Sequence, residues 1–380
     1  MGSHRRLKIG VLTSSRADFG IYVPLLNALK ENPDEFDLEI IAFGTHLSSF
    51  HGRTSDEIMQ HGFEIKHRIA SMLLSDDEES VATAYSLTSM KFSAFWGENK
   101  NKFDWVFCLG DRYEMAAAVT AGIPFGIRFA HIGGGETTLG AIDNIYRHTI
   151  SLVSKLHFVY LEPYAERIKQ LVGKSAMCIV TGSLSLDNID KVKILSKEEF
   201  FEKWGINLNL PTVLITIHPE TINSQNNDKH CRELLKAIKV LMQNHQLVIT
   251  MPNADTLGTV FRQAFEKLQY GHSDQIKLIE NFGTQSYFSC MFHSEYLLGN
   301  TSSGIVEAAS FGKFVVNIGD RQKGRLTSNN IIQVPFKYSA IVEAANKVKG
   351  IKYTGSNVYK QGNATQLIIR TLKTNGFKYV

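Results

Sequence analysis

Residues 8–30 read KIGVLTSSRADFGIYVPLLNALK, and this stretch decides the fold class. The apolar run Lys8–Thr13 predicts a buried strand, and the apolar spacing of Tyr22–Lys30 predicts a helix after a polar turn. Short apolar runs and helical patterns alternate in the same way along the rest of the chain. Because a strand followed by a helix, repeated, builds a parallel sheet with helices on both faces, we predict an α/β protein with doubly wound sheets.

Two sets of strands are predicted, one for each of two domains. The first set is 8–13, 38–43, 105–109, 125–131 and 157–160, and the second is 212–216, 246–251, 276–279, 296–298 and 314–318. A polar stretch that ends at Pro211 separates the sets, so we place the first domain at residues 1–185 and the second at 186–362. Since doubly wound sheets bind ligands beyond the carboxyl ends of their strands, we expect two Rossmann-like domains that face a cleft.

The composition is typical of a globular enzyme. Hydrophobic residues make up 43% of the 380 residues and the net charge is only +4, so we predict neither nucleic acid nor a membrane as a partner. The four cysteines lack CxxC spacing, which argues against zinc and disulfides, and G-x-G-x-x-G is absent, which argues against a dinucleotide. We predict no metal and no cofactor. No apolar run reaches the length of a signal peptide or membrane span, and we predict a cytoplasmic protein.

The stretch 299–312, GNTSSGIVEAASFG, predicts an anion site. The hydroxyl groups of Thr301, Ser302 and Ser303 precede a predicted helix, whose first amide groups and positive dipole end favour a phosphate. Glu307 lies about one turn further along the helix and suits a ribose. The alternative interpretation is an ordinary Ser/Thr cap of a surface helix.

Three turns of the first domain carry candidate side chains. Arg16 follows the first strand and suits a phosphate, or else it pairs with Asp18 at a helix cap. His46 follows the second strand and is either a site residue or an ordinary loop histidine. Asp111 follows a later strand, with Arg112 beside it, and is either a carboxylate of the site or a helix cap.

The HIGGGE stretch that ends at Glu136 contains three consecutive glycines. Glycines at this point let the backbone approach a ligand closely and turn Glu136 toward it. Asp143 and Arg147 follow at an i,i+4 spacing, so a helix presents both on one face, with His148 beside them. Asp111, Glu136 and Asp143 then form a carboxylate cluster, whose mutual repulsion raises at least one pKa toward a range useful for proton transfer.

The second domain supplies three further candidates. His218 ends a strand and meets a phosphate or the leaving oxygen, unless it is a satisfied loop histidine. Asn253 follows another strand in the same way. Arg321 belongs to the run GDRQKGR, which is either a solvated charged turn or the partner of an anion.

The chain resembles the hydrolysing UDP-N-acetylglucosamine 2-epimerases, which are bacterial enzymes of sialic and legionaminic acid precursor synthesis and the epimerase half of a human bifunctional enzyme. Nine strings in order and spacing carry the likeness: SRADFG, GTHLS, LGDRYE, HIGGGE with AIDNIYRH, TGSLSLDN, HPET, PNAD, GNTSSGIVEA and NIGDRQKGR. Many relatives read His-Ile-His-Gly-Gly-Glu, whereas this chain reads His-Ile-Gly-Gly-Gly-Glu, with Gly133 in place of the second histidine. Any role of that histidine is therefore missing here.

The resemblance implies a glycosyltransferase-B type fold, with a C-terminal helix at about 363–373 that packs back on the first domain. It also implies UDP as ligand and product, and a homodimer or homotetramer. The residues it assigns to UDP are Ser302, Ser303, Glu307, Arg16, His218, Asn253 and Arg321, and those it assigns to the sugar are Asp111, Glu136, Asp143, Arg112 and His148.

The reaction that the resemblance implies converts UDP-N-acetylglucosamine to UDP and N-acetylmannosamine. Glu136 or Asp143 takes the C2 proton while UDP leaves C1, and Asp111 assists. His218 and Arg321 stabilise the departing UDP, and water then adds to the 2-acetamidoglycal. The alternatives are the same reaction on UDP-2,4-diacetamido-2,4,6-trideoxyglucose, a non-hydrolysing 2-epimerase, a glycosyltransferase and a non-catalytic UDP-sugar binding protein.

Overall fold

A computed structural model describes residues 5–49, 54–73, 75, 77–222, 224–252 and 258–375. Contacts divide the chain into two compact units. The first unit is Met1–Glu136, Asp143–Asn188 and Tyr359–Val380, and the second is Thr137–Ile142 and Ile189–Val358. Each unit therefore contains segments that are far apart in the sequence.

Each unit is built on one parallel sheet. The strands are β1 (Leu7–Thr13), β2 (Phe36–Phe43), β3 (Ile65–Ile69), β4 (Trp105–Leu109), β5 (Phe129–Ile132), β6 (Leu156–Val159), β7 (Met177–Val180), β8 (Thr212–Thr216), β9 (Gln246–Thr250), β10 (Ile276–Ile279), β11 (Tyr296–Gly299), β12 (Val315–Ile318) and β13 (Ile331–Val334). The first sheet has the order β3-β2-β1-β4-β5-β6-β7, and the second has the order β10-β9-β8-β11-β12-β13. All paired strands are parallel. The predicted α/β class with two parallel sheets is confirmed.

Helices lie between most successive strands, and a loop without a helix joins β12 to β13. The helices are α1 (Arg16–Lys30), α2 (Ser55–Gln60), α3 (Glu78–Glu98), α4 (Tyr113–Thr120), α5 (Asp143–Val153), α6 (Glu162–Val172), α7 (Leu186–Ile189), α8 (Lys197–Trp204), α9 (Asn227–Leu241), α10 (Gly258–Tyr270), α11 (Gly283–His293), α12 (Ser302–Val306), α13 (Tyr338–Val348) and α14 (Ala364–Asn375). The central strands are continuously apolar because both of their faces are buried, as β4 and β8 show. No helix in the described ranges is long and apolar enough to cross a membrane.

The sequence prediction missed three strands, β3, β7 and β13. All three are edge strands. Their side chains are mostly half-buried or exposed. Only β3 (IKHRI) lacks an apolar run, whereas β7 (MCIV) and β13 (IIQV) are short apolar segments that were not predicted as strands. The predicted strand 125–131 also begins too early, because Ile123–Phe125 form a short 3-10 turn and Gly126 has a left-handed φ of 68°.

Helix α1 begins at Arg16, six residues before the predicted start at Tyr22. The Asp18 carboxylate accepts hydrogen bonds from the backbone N–H groups of Ser14 (2.7 Å) and Ser15 (2.9 Å). These bonds close the turn after β1 in two residues, since a carboxylate in the first helical turn satisfies amide groups that have no partner within the helix. The predicted longer polar turn is therefore wrong.

The C-terminal helix α14 packs against α1 in the first unit. Its N-terminus is held by the Asp187 carboxylate, which accepts hydrogen bonds from the Thr365 N–H (2.6 Å), the Thr365 hydroxyl (2.6 Å) and the Ala364 N–H (3.3 Å). On its inner face Ile368 and Leu372 are fully buried. A residue nearly two hundred positions earlier thus caps this helix, as a side chain in the N-terminal turn usually does.

Candidate functional site

Both sheets carry polar turns where the strand order reverses. In the first sheet this point lies between β1 and β4, and in the second it lies between β8 and β11. Doubly wound sheets bind ligands beyond the carboxyl ends of strands at such a point. The turns that follow these strands contain Arg16, Asp111, His218 and Thr301, so the topology places a candidate site in each unit.

In the first unit a buried arginine joins two of the predicted acidic positions. Arg147 of α5 forms an ion pair with the Asp111 carboxylate, and its Nη1 donates to the Glu136 backbone carbonyl at 3.2 Å. The Arg147 side chain is 1% exposed and that of Asp111 is 26% exposed. A buried cation therefore lies beside the predicted carboxylates. The sequence placed Arg147 on one helix face with Asp143, and its pairing with Asp111 was not predicted.

The three consecutive glycines before Glu136 leave room for protein groups. Gly133 and Gly135 have left-handed φ angles of 80° and 81°. A Cβ atom at Gly135 would lie 2.3 Å from the Tyr164 carbonyl oxygen, and one at Gly133 would lie 2.9 Å from the Tyr160 hydroxyl. The prediction that the glycines make space for a ligand omitted this close packing, which by itself requires glycine.

His131 fixes the turn that carries Asp111. Its Nε2 lies 2.9 Å from the Gly110 carbonyl oxygen and must donate to it, and its Nδ1 lies 3.0 Å from the Ser151 hydroxyl. Burial lowers the pKa of His131 to about 3, so the ring is neutral at pH 7. Sequence reasoning did not single out His131, although a histidine inside a buried strand is a signal for a hydrogen-bonded role.

Four further predicted residues of the first unit have defined surroundings. Glu136 is 2% exposed, and Asp143 is the half-buried first residue of α5. Burial, with Arg147 nearby, lowers the pKa of His148 to about 4, so this ring is also neutral at pH 7. Arg112 donates to the Glu114 carboxylate through Nε (3.3 Å) and Nη2 (3.1 Å).

His46 is completely buried behind the turn after β1. Its Nε2 lies 2.9 Å from the Thr13 hydroxyl and its Nδ1 lies 2.8 Å from the Thr54 hydroxyl. Burial opposes ionisation of the adjacent Asp18, but hydrogen bonding and the charge of His46, with the Ser14 amide, lower its pKa below the ordinary value. His46 thus supports the turn from which Arg16 starts α1, and its predicted role in ligand binding stays a prediction.

In the second unit, Asn300 holds the backbone of His218. The Asn300 Oδ1 accepts from the His218 N–H at 2.7 Å, and its Nδ2 donates to the His218 carbonyl at 2.9 Å. Gln322 in turn donates through Nε2 to the Asn300 carbonyl at 2.7 Å. Asn300 and Gln322 were not predicted as site residues, although Asn300 directly follows β11, just as the predicted Asn253 was expected to follow a strand.

The loop after β12 is tied to the loop that follows His218. The Arg321 Nη1 donates to the Pro219 carbonyl at 2.9 Å, and the Asp320 N–H donates to the Glu220 carboxylate at 2.5 Å. Glu220 is buried, and a Cβ atom at Gly319 would lie 2.4 Å from its Oε1. His218 and Arg321 therefore belong to one hydrogen-bonded pair of loops.

The predicted phosphate loop forms a very short helix. Thr301 is the residue before α12, its hydroxyl accepts from the Ser303 N–H at 3.4 Å, and Ser302 is exposed. Helix α12 ends at Val306, so Glu307 stands at the junction with the 3-10 turn Ala308–Phe311 and not inside the helix as predicted. Glu307 is nonetheless 7% exposed, and its backbone N–H donates to the Ser303 carbonyl at 2.9 Å.

Asn253 lies outside the described residues. Among the residues that the structure describes, no group of three His, Cys, Asp or Glu side chains is arranged to hold a metal ion.

Comparison with known proteins gives the family. The UDP-N-acetylglucosamine 2-epimerase family model matches residues 27–373. The GDP/UDP-N,N'-diacetylbacillosamine 2-epimerase (hydrolyzing) of Campylobacter jejuni is 37% identical over 325 residues, which cover 86% of this chain and 83% of the relative. The UDP-N,N'-diacetylbacillosamine 2-epimerase (hydrolyzing) of Legionella pneumophila is 33% identical over 371 residues, 97% of this chain and 96% of the relative.

A solved structure has the same fold. The UDP-GlcNAc 2-epimerase from Neisseria meningitidis bound to UDP-GlcNAc superimposes with a TM-score of 0.79 at 19% identity, over 97% of this chain and 100% of that one. This likeness confirms the predicted fold, which is of glycosyltransferase-B type. Together with the extent of the family match, it leads to one conclusion: the chain belongs to the UDP-N-acetylglucosamine 2-epimerase family.

Proposed function

We propose that the protein is a hydrolysing 2-epimerase of a UDP-linked 2-acetamido sugar. In the first step a base removes the C2 proton, the C2–H electron pair forms the C1=C2 double bond, and the C1–O bond breaks to release UDP. In the second step water adds its hydroxyl to C1, and a proton reaches C2 from the opposite face. The products are UDP and the free 2-epimeric sugar. Both steps are redox-neutral and consume only water, so the proposal invokes no cofactor.

The positions of Asp111 and Glu136, both in contact with Arg147, carry the proposal. The C2 hydrogen is not next to a carbonyl group, so its removal needs a positioned base and a stabilised leaving group. Asp111 and Glu136 follow neighbouring strands and are both linked to the buried Arg147. We assign the C2 base to Glu136 or Asp143 and an assisting role in proton delivery to Asp111.

The second unit is assigned to the nucleotide. We propose that His218 and Arg321 stabilise the departing UDP, and their shared pair of loops supports this assignment. The remaining proposed UDP contacts are Arg16, Asn253, Thr301, Ser302, Ser303 and Glu307, and the proposed contacts near the sugar are His46, Arg112 and His148.

The relatives' names favour a diacetamido sugar as the substrate. Sequence analysis predicted UDP-N-acetylglucosamine, with UDP-2,4-diacetamido-2,4,6-trideoxyglucose as the alternative. Two relatives at 37% and 33% identity are named as hydrolysing enzymes of UDP-diacetylbacillosamine. We therefore place the diacetamido substrate first and UDP-N-acetylglucosamine second, because the family model carries the latter name.

Product analysis tests the proposal. Each of the two UDP-sugars is incubated separately with the purified protein in D2O and followed by proton NMR. We expect UDP and a free 2-epimer with deuterium at C2, formed faster from the diacetamido substrate. Intact UDP-linked 2-epimer would favour a non-hydrolysing enzyme, turnover that requires an acceptor sugar would favour a glycosyltransferase, and UDP binding without turnover would favour a sensor.

The oligomeric state and the cellular location are also proposals. We propose a homodimer or homotetramer, because the resemblance implies this state, and a cytoplasmic location, because the four cysteines are free, as in a reducing compartment. Light scattering after size-exclusion chromatography measures the mass directly, and a mass of 42.6 kDa would contradict the oligomer.

A further inference from the structure

Six residues between two proposed catalytic carboxylates pack within the second unit. Thr137–Ile142 group with that unit, whereas Glu136 and Asp143, which flank them in the chain, belong to the first. We call Thr137–Ile142 the tether. Its position in the sequence means that any displacement of the tether is passed through one peptide bond to Glu136 and through another to Asp143.

Hydrogen bonds fix the tether in its middle and at its C-terminal end. The Leu139 N–H donates to the Lys323 carbonyl at 2.8 Å, and the Ile142 N–H donates to the Thr221 hydroxyl at 2.9 Å. Thr221 lies three residues after His218, and Lys323 lies two residues after Arg321. The tether is therefore bonded to both loops that carry the proposed leaving-group contacts.

Gly140 brings the tether into backbone contact with the Arg321 loop. A Cβ atom at Gly140 would lie 2.5 Å from the carbonyl carbon and oxygen of Asp320 and 2.6 Å from the Arg321 nitrogen. A side chain at Gly140 would therefore force the backbone to move, because the neighbouring atoms are themselves backbone atoms. Gly324 also packs against the tether, since a Cβ atom there would lie 3.0 Å from the Thr137 methyl group.

We propose that the tether couples the nucleotide loops to the carboxylates: ordering of the His218 and Arg321 loops by UDP positions Glu136 and Asp143 for proton abstraction. Gly140 and Thr221 are then positioning residues. This inference rests on the proposed function for its catalytic part, but the contacts themselves are independent of the substrate. A misplacement of about 1 Å in a catalytic group can lower a rate about 100-fold.

The main test compares Thr221→Val with Thr221→Ser. Valine has nearly the same shape but lacks the oxygen that accepts the Ile142 N–H, whereas serine keeps it. We expect Thr221→Val to lower kcat about tenfold with the Kd for UDP changed less than about twofold, and Thr221→Ser to restore most of kcat. Gly140→Ala should lower kcat about 100-fold. Leu139→Ala is the control, since that side chain is 53% exposed and only its backbone is bonded.

An isotope effect separates positioning from a loss of folded enzyme. With substrate deuterated at C2, we expect the primary isotope effect on kcat to be larger for Thr221→Val than for the parent, because proton abstraction becomes slower relative to the other steps. A smaller active fraction alone would leave the isotope effect unchanged. Equal kcat values and equal isotope effects for the valine and serine variants would overturn the proposal.

A second measurement does not depend on turnover. Hydrogen–deuterium exchange of the parent protein, with and without UDP, should show slower exchange of the Leu139 and Ile142 amides when UDP is bound. If UDP binds and these amides exchange at the same rate, the coupling is wrong whatever the enzyme's substrate. If the amides are protected but neither UDP-sugar is converted, the coupling stands and the proposed function fails.

Discussion

Arg147 and Asp111 form an ion pair in which the guanidinium is 1% exposed and the carboxylate is 26% exposed. A buried guanidinium that loses its charged partner is strongly destabilising, because its lost hydration is no longer compensated. We expect Asp111→Asn to lower the free energy of unfolding by about 2 kcal/mol, at the low end because Asp111 is partly exposed. Urea denaturation measures this. Asp56→Asn, at an exposed position of α2, is the control, and equal effects of the two changes would contradict the pair's importance.

Replacement of Glu136 by glutamine separates catalysis from binding. Glutamine has the same shape as glutamate but cannot accept the C2 proton. We expect Glu136→Gln to lower kcat about 1000-fold, within the usual range for loss of a general base, and to leave the Kd for UDP within about twofold. A UDP-release assay and calorimetric titration with UDP give the two numbers. Turnover that survives the change would move the base to Asp143.

Gly135 is expected to be intolerant of any side chain. Its φ of 81° disfavours other residues, and a Cβ atom would lie 2.3 Å from the Tyr164 carbonyl oxygen. Gly126 is a matched control, since its φ is 68° and no atom would lie within 4 Å of a Cβ added there. Gly126→Ala should cost about 1 kcal/mol of unfolding free energy and Gly135→Ala more than about 2 kcal/mol. Thermal and urea denaturation of both variants measure the two losses of unfolding free energy. Equal losses would mean that the backbone moves to relieve the contact between the added Cβ and the Tyr164 carbonyl.

His131 makes the stability depend on pH below neutrality. Its pKa is about 3 in the folded protein and about 6.5 when unfolded, so it is neutral in both states above pH 6.5 and contributes nothing there. As the pH falls below 6.5, only the unfolded chain takes up the proton, and the free energy of unfolding drops by about 2 kcal/mol at pH 5. Denaturation of His131→Gln should show the loss of stability at pH 5 reduced by about 2 kcal/mol, and not abolished, because the lowered pKa of His148 leaves a dependence of the same sign. In the parent protein, the NMR shift of the His131 ring should not titrate between pH 5 and 8, and a midpoint near 6.5 would contradict the assignment.

Asn300 is expected to control the affinity for UDP through His218. In the parent protein the Asn300 Nδ2 donates to the His218 carbonyl at 2.9 Å. Asn300→Asp replaces this donor by an oxygen that faces the carbonyl. The two acceptors repel each other, and we expect the His218 backbone to shift and the Kd for UDP to rise about tenfold. Asn209→Asp, at an exposed amide, controls for the added charge. Calorimetric titration of both variants checks the result, and an unchanged Kd would remove His218 from the UDP site.

Much of the fold could be predicted because central parallel strands are buried on both faces. Strands such as β1 and β4 therefore appear as unbroken apolar runs. The edge strand β3 alternates half-buried and exposed positions and has Lys66, His67 and Arg68 between its two isoleucines, so it contains no apolar run. The start of α1 was missed for a different reason, since it depends on Asp18 bonding to the backbone of Ser14 and Ser15.

The candidate site was predictable in its residue types but not in its contacts. Polar residues that follow strands were recognised from the end of each apolar run, which gave Asp111, Glu136 and His218. Their partners could not be recognised, because Arg147 is 36 positions from Asp111 and Asn300 is 82 positions from His218. Which of these side chains touch is decided by the order of strands in the sheet, and that order leaves no mark in a single sequence.

The cap of α14 by Asp187 has a consequence for biosynthesis. The Asp187 carboxylate cannot bond to Ala364 and Thr365 until they leave the ribosome, which happens after every described residue of the second unit has emerged. Since domains form as their residues are translated, the second sheet can reach its final state while the first still lacks a helix. The portion of the protein that is made first is thus completed last.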